Sequence, residues 1–301
     1  MTVELAEALP VAASAVRSRP NYRRRRILIE MAAMAFGVVL VVWSIAPIYN
    51  MVAVALEEHG DVFSDKLFPP KPSFDSFRIV LTEGYWYLEH FWHQFGNSLY
   101  VGVATVFLTL LIGSLASFAI GRMRIKYGWL LSNAALLTYV IPASFLAIPF
   151  YRIMRIYGLS DNLWAVIAAE VTFATPYAII IFQQYATSIP IELDEAARID
   201  GASPWQVYWR IYLPLMAPAL VAVGTYALLL AWNEFLYQFI LLSSKRSMTV
   251  AVALAQFMNS DESPWNYMMA TAIIYAIPPV AIYYVFRRRM NAGLTMGGVK
   301  G

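Results

Sequence analysis

The sequence predicts an all-α membrane protein with six transmembrane helices, and three observations predict it. Apolar residues make up 60% of the chain and charged residues only 14%, which excludes an ordinary soluble domain. Runs long enough to cross ~30 Å of hydrocarbon, about 20 residues each, lie at 27–56, 97–120, 128–151, 163–186, 215–242 and 267–286. Lys and Arg gather on alternate connections between these runs, so the pattern gives an orientation as well as a count.

The first run follows Arg17, Arg19 and Arg23 to Arg26. Beside an apolar stretch these cations read as an orientation signal and not as a nucleic-acid contact, and no nucleic-acid partner is expected. The run is too long for a secretory-signal core and lacks a persuasive cleavage site, so 27–56 is expected to remain as the first transmembrane helix. Residues 1–26 form an N-terminal tail whose Ala-rich first part is expected to be disordered. Arg122, Arg124 and Lys126 separate the second and third runs, and Arg287 to Arg289 follow the sixth. The opposite connections carry fewer cations, with Arg152, Arg155, Lys245 and Arg246 nearest the membrane. Both termini are therefore expected in the cytoplasm.

Residues 57–96 form a long extracytoplasmic connection. It opens with the extended, Pro-rich stretch Phe68-Pro69-Pro70-Lys71-Pro72-Ser73-Phe74. Residues 76–95 then show helical spacing with Trp86, Tyr87, Phe91, Trp92 and Phe95, which suits a helix lying at the membrane interface. His59, His90 and His93 all fall here. The last two stand at i, i+3 without a clear third ligand, so no metal site is expected. The chain has no cysteine, which excludes disulfides and thiolate metal sites.

Later runs carry Pro142 and Pro149, Pro176, Pro218, and the pair Pro278-Pro279. Each removes a backbone hydrogen bond, tolerable in lipid only where neighbours or a wet cavity satisfy the freed carbonyl. That fits a bundle forming a pathway, and it also fits the ordinary occurrence of Pro in membrane helices. Residues 97–290 are expected to form a five-helix core, followed by a cytoplasmic tail at 291–301.

Between the fourth and fifth runs lies a polar island, 189–214, far longer than a turn requires. Pro190 opens a helix with acids in its first turn, and Gly201 stops it where left-handed geometry is needed. Ser203-Pro204 then restarts one, a cap followed by Pro at the first position. Two short helices make a knob suited to docking. Ala196 and Ala197 let a partner approach closely, and Glu195 and Asp200 can pair with partner cations.

The spacing Glu195-Ala196-Ala197, three residues, Gly201, nine residues, Ile211-x-Leu213-Pro214 resembles the signature loop of bacterial ABC-importer permeases. There the loop forms the coupling helix that sits in a cleft of the ATPase subunit. Three further stretches resemble carbohydrate-uptake permeases of the class of the second maltose-transporter permease: Ala119 to Arg124, Ala231-Trp232-Asn233-Glu234-Phe235, and Gly293 to Gly301, with Gly298 where that class usually has Ala. The resemblance spans about 27–301. It implies the type I ABC importer permease fold in a bacterial inner membrane, a second homologous permease subunit, an ATPase dimer and an extracytoplasmic solute-binding protein. ATP and Mg would be held by the ATPase and no cofactor by this chain. It also implies ATPase-coupling roles for Glu195, Ala196, Ala197, Asp200, Gly201, Leu213 and Pro214. The loop at about 243–266 would reach the binding protein through Gln256, Asn259, Asp261, Glu262 and Trp265.

No Gly-x-x-x-x-Gly-Lys-Ser/Thr loop and no nucleophile–base constellation is present, so an enzyme is not expected. Two acids, Glu170 and Glu234, fall inside apolar runs, where a carboxylate is costly unless protonated or paired. Trp232, Asn233 and Glu234 together suit a sugar's ring face and hydroxyls. Interhelical hydrogen bonding explains them equally well. Thr172 and Tyr177, with Thr175, Tyr139 and Ser144, are further candidates for a polar pathway wall. No Lys or Arg lies inside a run, which favours a neutral sugar over glycerol phosphate or an acidic sugar; a polyol is a further alternative solute. A proton-coupled carrier using Glu170 and Glu234 is the rival of a different class, but it needs no docking knob.

Overall fold

The structure, a computed structural model, describes residues 22–58, 67–123, 125–259 and 264–295. The Ala-rich start of the tail, His59, Arg124, Asp261, Glu262 and the last residues from Met296 lie outside the described residues. The chain divides into two units, Met1–Asn50 and Met51–Gly301. The described part of the first belongs to helix α1, Tyr22–Ala55, which carries Pro47 in its interior. From Met31 onward its sequence is apolar on nearly every face, as a membrane-crossing helix requires.

The second unit is built on α3 (Phe91–Arg122), α6 (Leu163–Ala186), α10 (Ala217–Asn233) and α13 (Trp265–Thr295). α3 lies along α6, α10 packs against both, and α13 packs on α10. Small residues set these approaches. A Cβ added at Gly113 of α3 would stand 2.8 Å from the Ala178 Cβ and 3.3 Å from the Phe182 ring. One added at Gly102 would stand 2.9 Å from Leu228 Cδ1. Without a hydrophobic drive between helices in lipid, such close backbone contact is the main source of association.

Among the described residues four helices are long and apolar enough to cross a membrane, and up to six spans result if two bent pairs each count as one. The first pair is α4 (Gly128–Leu137) and α5 (Ala143–Ile156), whose halves meet at 102°. Pro142 stands at the break with ψ 131°, and its ring disfavours helical geometry at Ile141. The apolar run 128–151 is therefore not one straight helix. The second bend, 76°, falls at Met216, between the segment ending at Leu215 and α10. α10 itself stops at Asn233. Glu234 is extended, and a short helix α11, Leu236–Leu241, completes the run.

The connection before α3 also departs from the expectation of one interfacial helix over 76–95. Helix α2 covers only Asp75–Leu81. Glu83 then takes a left-handed φ of 55°, and the chain turns until Phe91. Phe91, Trp92, His93 and Phe95 belong to the start of α3. Glu83 Oε1 accepts the backbone N–H of Trp92 at 3.0 Å, and the Trp92 indole donates to Leu81 O at 2.9 Å. The apolar spacing runs through this turn without a break, which is why periodicity alone joins two elements into one.

The 243–266 connection holds a helix of its own, α12, Val250–Gln256. Val250 and Phe257 are buried in a cluster with Val80, Leu88, Phe91 and Ala270. A polar row on α3 fastens the turn that leads into α12. Gln94 Nε2 donates to Lys245 O (3.0 Å), Asn97 Nδ2 to Arg246 O (2.7 Å) and Met248 O (2.9 Å), and Ser98 Oγ accepts from Val250 N (3.0 Å).

Candidate functional site

The 189–214 island forms the two short helices that its caps predict. The first, α7, is Glu192–Ile199, with Glu192, Asp194 and Glu195 in its first turn. It ends as a Schellman motif: Ala202 N donates to Ala197 O (2.9 Å), Gly201 N donates to Arg198 O (3.0 Å), and Gly201 has φ +85°. The second, α8, Pro204–Val207, begins with a capping box in which Ser203 Oγ accepts Gln206 N and Gln206 Oε1 accepts Ser203 N. It continues through a π-turn, Tyr208–Tyr212, into α9, Leu213–Leu215, so Pro214 follows a widened helical turn that spares its missing N–H.

Glu195, Ala196, Asp200, Gly201 and Pro214 are exposed, while Ala197 and Leu213 are half-buried. Apolar side chains accompany them outward: Leu193, Trp205 and Trp209 are exposed and Ile199 is 87% exposed. The inner face is held by Val207, Tyr208, Tyr212 and Met216, buried with Phe118 and Phe182. Ser114 and Ser117 of α3 share hydrogen bonds with the Tyr208 and Tyr212 hydroxyls at 2.8 and 3.0 Å.

Arg122, the last residue of α3, lies at the base of this knob and is buried. Its Nη2 donates to Ala186 O (3.0 Å) and Ile189 O (2.9 Å), and its Nη1 stands 3.4 Å from Asp194 Oδ2. Sequence reasoning used Arg122 as an orientation signal and within the Ala119 to Arg124 stretch, and Asp194 only as a first-turn acid. Nothing local announces that the two meet.

Within the apolar bundle the predicted pathway residues are dispersed. Trp232 is buried, stacks on Tyr275 (4.8 Å between ring centres) and donates to Tyr275 O, so it packs α10 against α13. Asn233 is exposed and donates to Leu229 O (2.8 Å). Glu234 caps α11, accepting Tyr237 N (2.9 Å) and Gln238 N (3.1 Å). Glu170 is buried beside Glu234, and neither of its oxygens takes a hydrogen bond among the described residues. Thr172, exposed, and Thr175 donate back to carbonyls of their own helix. Tyr177 stacks on Tyr226, and the Tyr139 hydroxyl donates to Phe173 O. Ser144 is exposed in the first turn of α5.

Of the predicted binding-protein contacts, Gln256 ends α12 with its Nε2 3.1 Å from Met248 Sδ. Asn259 closes the 3-10 turn after α12, and Trp265 opens α13. Asp161 organises the same end of the bundle and escaped the sequence reading. It has a left-handed φ of 54°, and its Oδ1 accepts Ser243 N (2.7 Å), Ser244 N (3.1 Å) and the Ser247 hydroxyl. Burial pushes its carboxyl up, but the donors from Ser247, Ser243 and Ser244 outweigh that and bring it down to about 2.

Residues 109–295 match the family described as binding-protein-dependent transport system inner membrane component. Over 261 residues the chain is 33% identical to the trehalose transport system permease protein SugB of Mycobacterium tuberculosis, covering 86% of this chain and 93% of that one. It is 30% identical over 267 residues to the diacetylchitobiose uptake system permease protein DasC of Streptomyces coelicolor, covering 88% and 95%. Among solved structures, a chain of a bacterial ABC transporter involved in import of the acidic polysaccharide alginate superposes with a TM-score of 0.75. That match covers 88% of this chain and 97% of the other at 23% identity, and it shows a common fold.

Proposed function

Because this chain belongs to the family of binding-protein-dependent transport system inner membrane components, we propose that it is a permease subunit of an ABC importer that carries a sugar or sugar derivative into the cytoplasm. The observation that supports this most is the 189–214 knob. Glu192, Glu195, Asp200 and the apolar side chains point outward from a compact pair of helices closed by a Schellman motif and a capping box, the form a docking element needs. An ATPase dimer binds there and hydrolyses ATP with Mg, since this chain has no phosphate-binding loop. Both termini and the knob face the cytoplasm, following the distribution of Lys and Arg. A second, homologous permease subunit completes the pathway, and a solute-binding protein delivers the solute to the opposite face near Gln256, Asn259, Asp261 and Trp265.

The sugar assignment rests on the relatives named for trehalose and diacetylchitobiose uptake, and on spans without interior cations. Asn233 and Thr172, both exposed, are the pathway residues retained in this reading. Trp232 and Glu234 support them by packing and capping. ATP-driven closure of the partners moves the docked knob, and the bundle alternates between inward and outward access. Deleting the gene and following uptake of labelled trehalose, chitobiose, arabino-oligosaccharides, glycerol 3-phosphate and an alginate oligosaccharide tests this. Loss of one neutral saccharide is expected. Unchanged saccharide uptake with loss of a phosphate or uronate solute would overturn the sugar assignment.

A further inference from the structure

We propose that Arg122 and Asp194 form a latch that makes the docking helix α7 move as one body with α3 and α6. The inference rests on the importer reading above and adds the mechanical joint to it.

Helix α7 has only eight residues and hangs from α6 by the short connection through Ile191. Ala197 and the link into α8 hold its far end, but a force applied to so short a helix would swing its first turn on that tether unless something else held it. The Arg122 guanidinium supplies the hold. With Nη2 it takes two carbonyls at the exit of α6, Ala186 O, which also accepts Ile189 N at 3.2 Å, and Ile189 O. A cation there also suits the negative end of the helix. With Nη1 it faces Asp194 of α7 at 3.4 Å. In return Arg198 of α7 donates to Arg122 O at 3.3 Å, and the guanidinium lies 6.0 Å from the centre of the Tyr212 ring in the π-turn.

One planar group thus touches the end of one long helix, the exit of another and the docking helix. Only a guanidinium offers donors spread widely enough to do so, because a Lys ammonium presents a single point. Both partners are almost sealed from solvent, with side chains 5% and 3% exposed. Asp194 accepts no hydrogen bond among the described residues, so Arg122 alone compensates its charge there. Such a pair contributes little net stability, and its value lies in fixing geometry. A cavity of about 100 Å³ lined by Arg122, Asp194, Glu195 and Arg198 sets the exposed Glu195 beside the latch. A pull on the docking face therefore acts directly on the joint.

The test uses the absence of native cysteine. Spin labels at Glu192→Cys, where α7 begins, and Phe107→Cys on α3 report their separation by pulsed electron resonance, in the importer purified with its ATPase. A single narrow distance is expected, equally narrow with and without Mg and a non-hydrolysable ATP analogue. Asp194→Asn, nearly isosteric, and Arg122→Lys, which keeps the charge, should each broaden it while the complex still assembles and hydrolyses ATP. A distribution as narrow as wild type in both variants overturns the latch. Loss of assembly in both would also overturn it, by leaving a role in folding only. If even the wild-type chain fails to retain an ATPase, the importer reading fails. The same distance measured on the purified chain then still decides whether the latch exists.

Discussion

Replacing Gly201 isolates the backbone geometry that ends the docking helix. At φ +85° an L side chain is strained, and a Cβ built there meets nothing within 4 Å. The penalty is therefore torsional and not steric, about 1–2 kcal/mol for a residue with a Cβ in the left-handed region. Relaxing out of that region would release the strain but break the bonds from Gly201 N to Arg198 O and Ala202 N to Ala197 O, each worth about 0.5–1.5 kcal/mol. The second route costs about 1–3 kcal/mol in all, so the strained turn sets the penalty at about 1–2 kcal/mol, roughly a 5- to 30-fold loss in the population of the native α7 end. Asn tolerates left-handed geometry and β-branched Val tolerates it least, so impairment should rise in the order Asn, Ala, Val. Gly121→Ala is the control. That glycine sits in α3 with an ordinary φ and open space, so substitution should be harmless or slightly favourable. Retention of the ATPase on tagged permease and solute-stimulated ATP hydrolysis are the readouts. Wild-type values for Gly201→Val, or Asn impairing more than Val, would refute the reasoning.

Glu234→Ala should destabilise the purified permease by about 1 kcal/mol through loss of the acceptors for Tyr237 N and Gln238 N, with a smaller loss for Glu234→Gln, read as the melting temperature. Asn233→Leu should lower uptake without reducing assembled complex, and unchanged uptake would remove it from the pathway. Gly113→Val should lower the folded yield by overpacking against Ala178 and Phe182, at a cost of about 1–3 kcal/mol, whereas Gly96→Ala, with open space, should not. The Asp161 carboxyl is depressed in the folded chain, so its contribution is full above the ordinary carboxylate value of 3.8 and is lost as pH falls through about 2. Amide exchange at Ser243 and Ser244 should therefore gain extra opening in that interval, and Asp161→Asn should abolish the dependence.

The docking knob was legible because its determinants are local. Gly201 and Ser203 act within a turn of where they stand and the observed caps fall there, whereas α7 starts at Glu192, two residues after Pro190, with no side-chain cap at Ile191. The apolar runs were legible as runs, since length and hydrophobicity need no partner. Their internal geometry was not. The stop at Asn233 depends on Glu234 reaching forward to two backbone groups, and an acid in an apolar run reads equally as a pathway residue. α12 escaped because its burial comes chiefly from Val80, Leu88 and Phe91, distant in sequence. Asp161 and the Arg122–Asp194 pair likewise act on residues more than seventy positions away, a separation at which composition and periodicity carry no information.

The most direct measurement of the central claim is the accessibility of Ile199→Cys to a membrane-impermeant maleimide. The residue is 87% exposed at the tip of the docking helix, and the chain has no other cysteine. The account predicts labelling in inside-out vesicles stripped of ATPase, none in intact cells, and protection when the ATPase subunits are added back. Labelling from outside intact cells, or labelling that bound ATPase leaves unchanged, would contradict it.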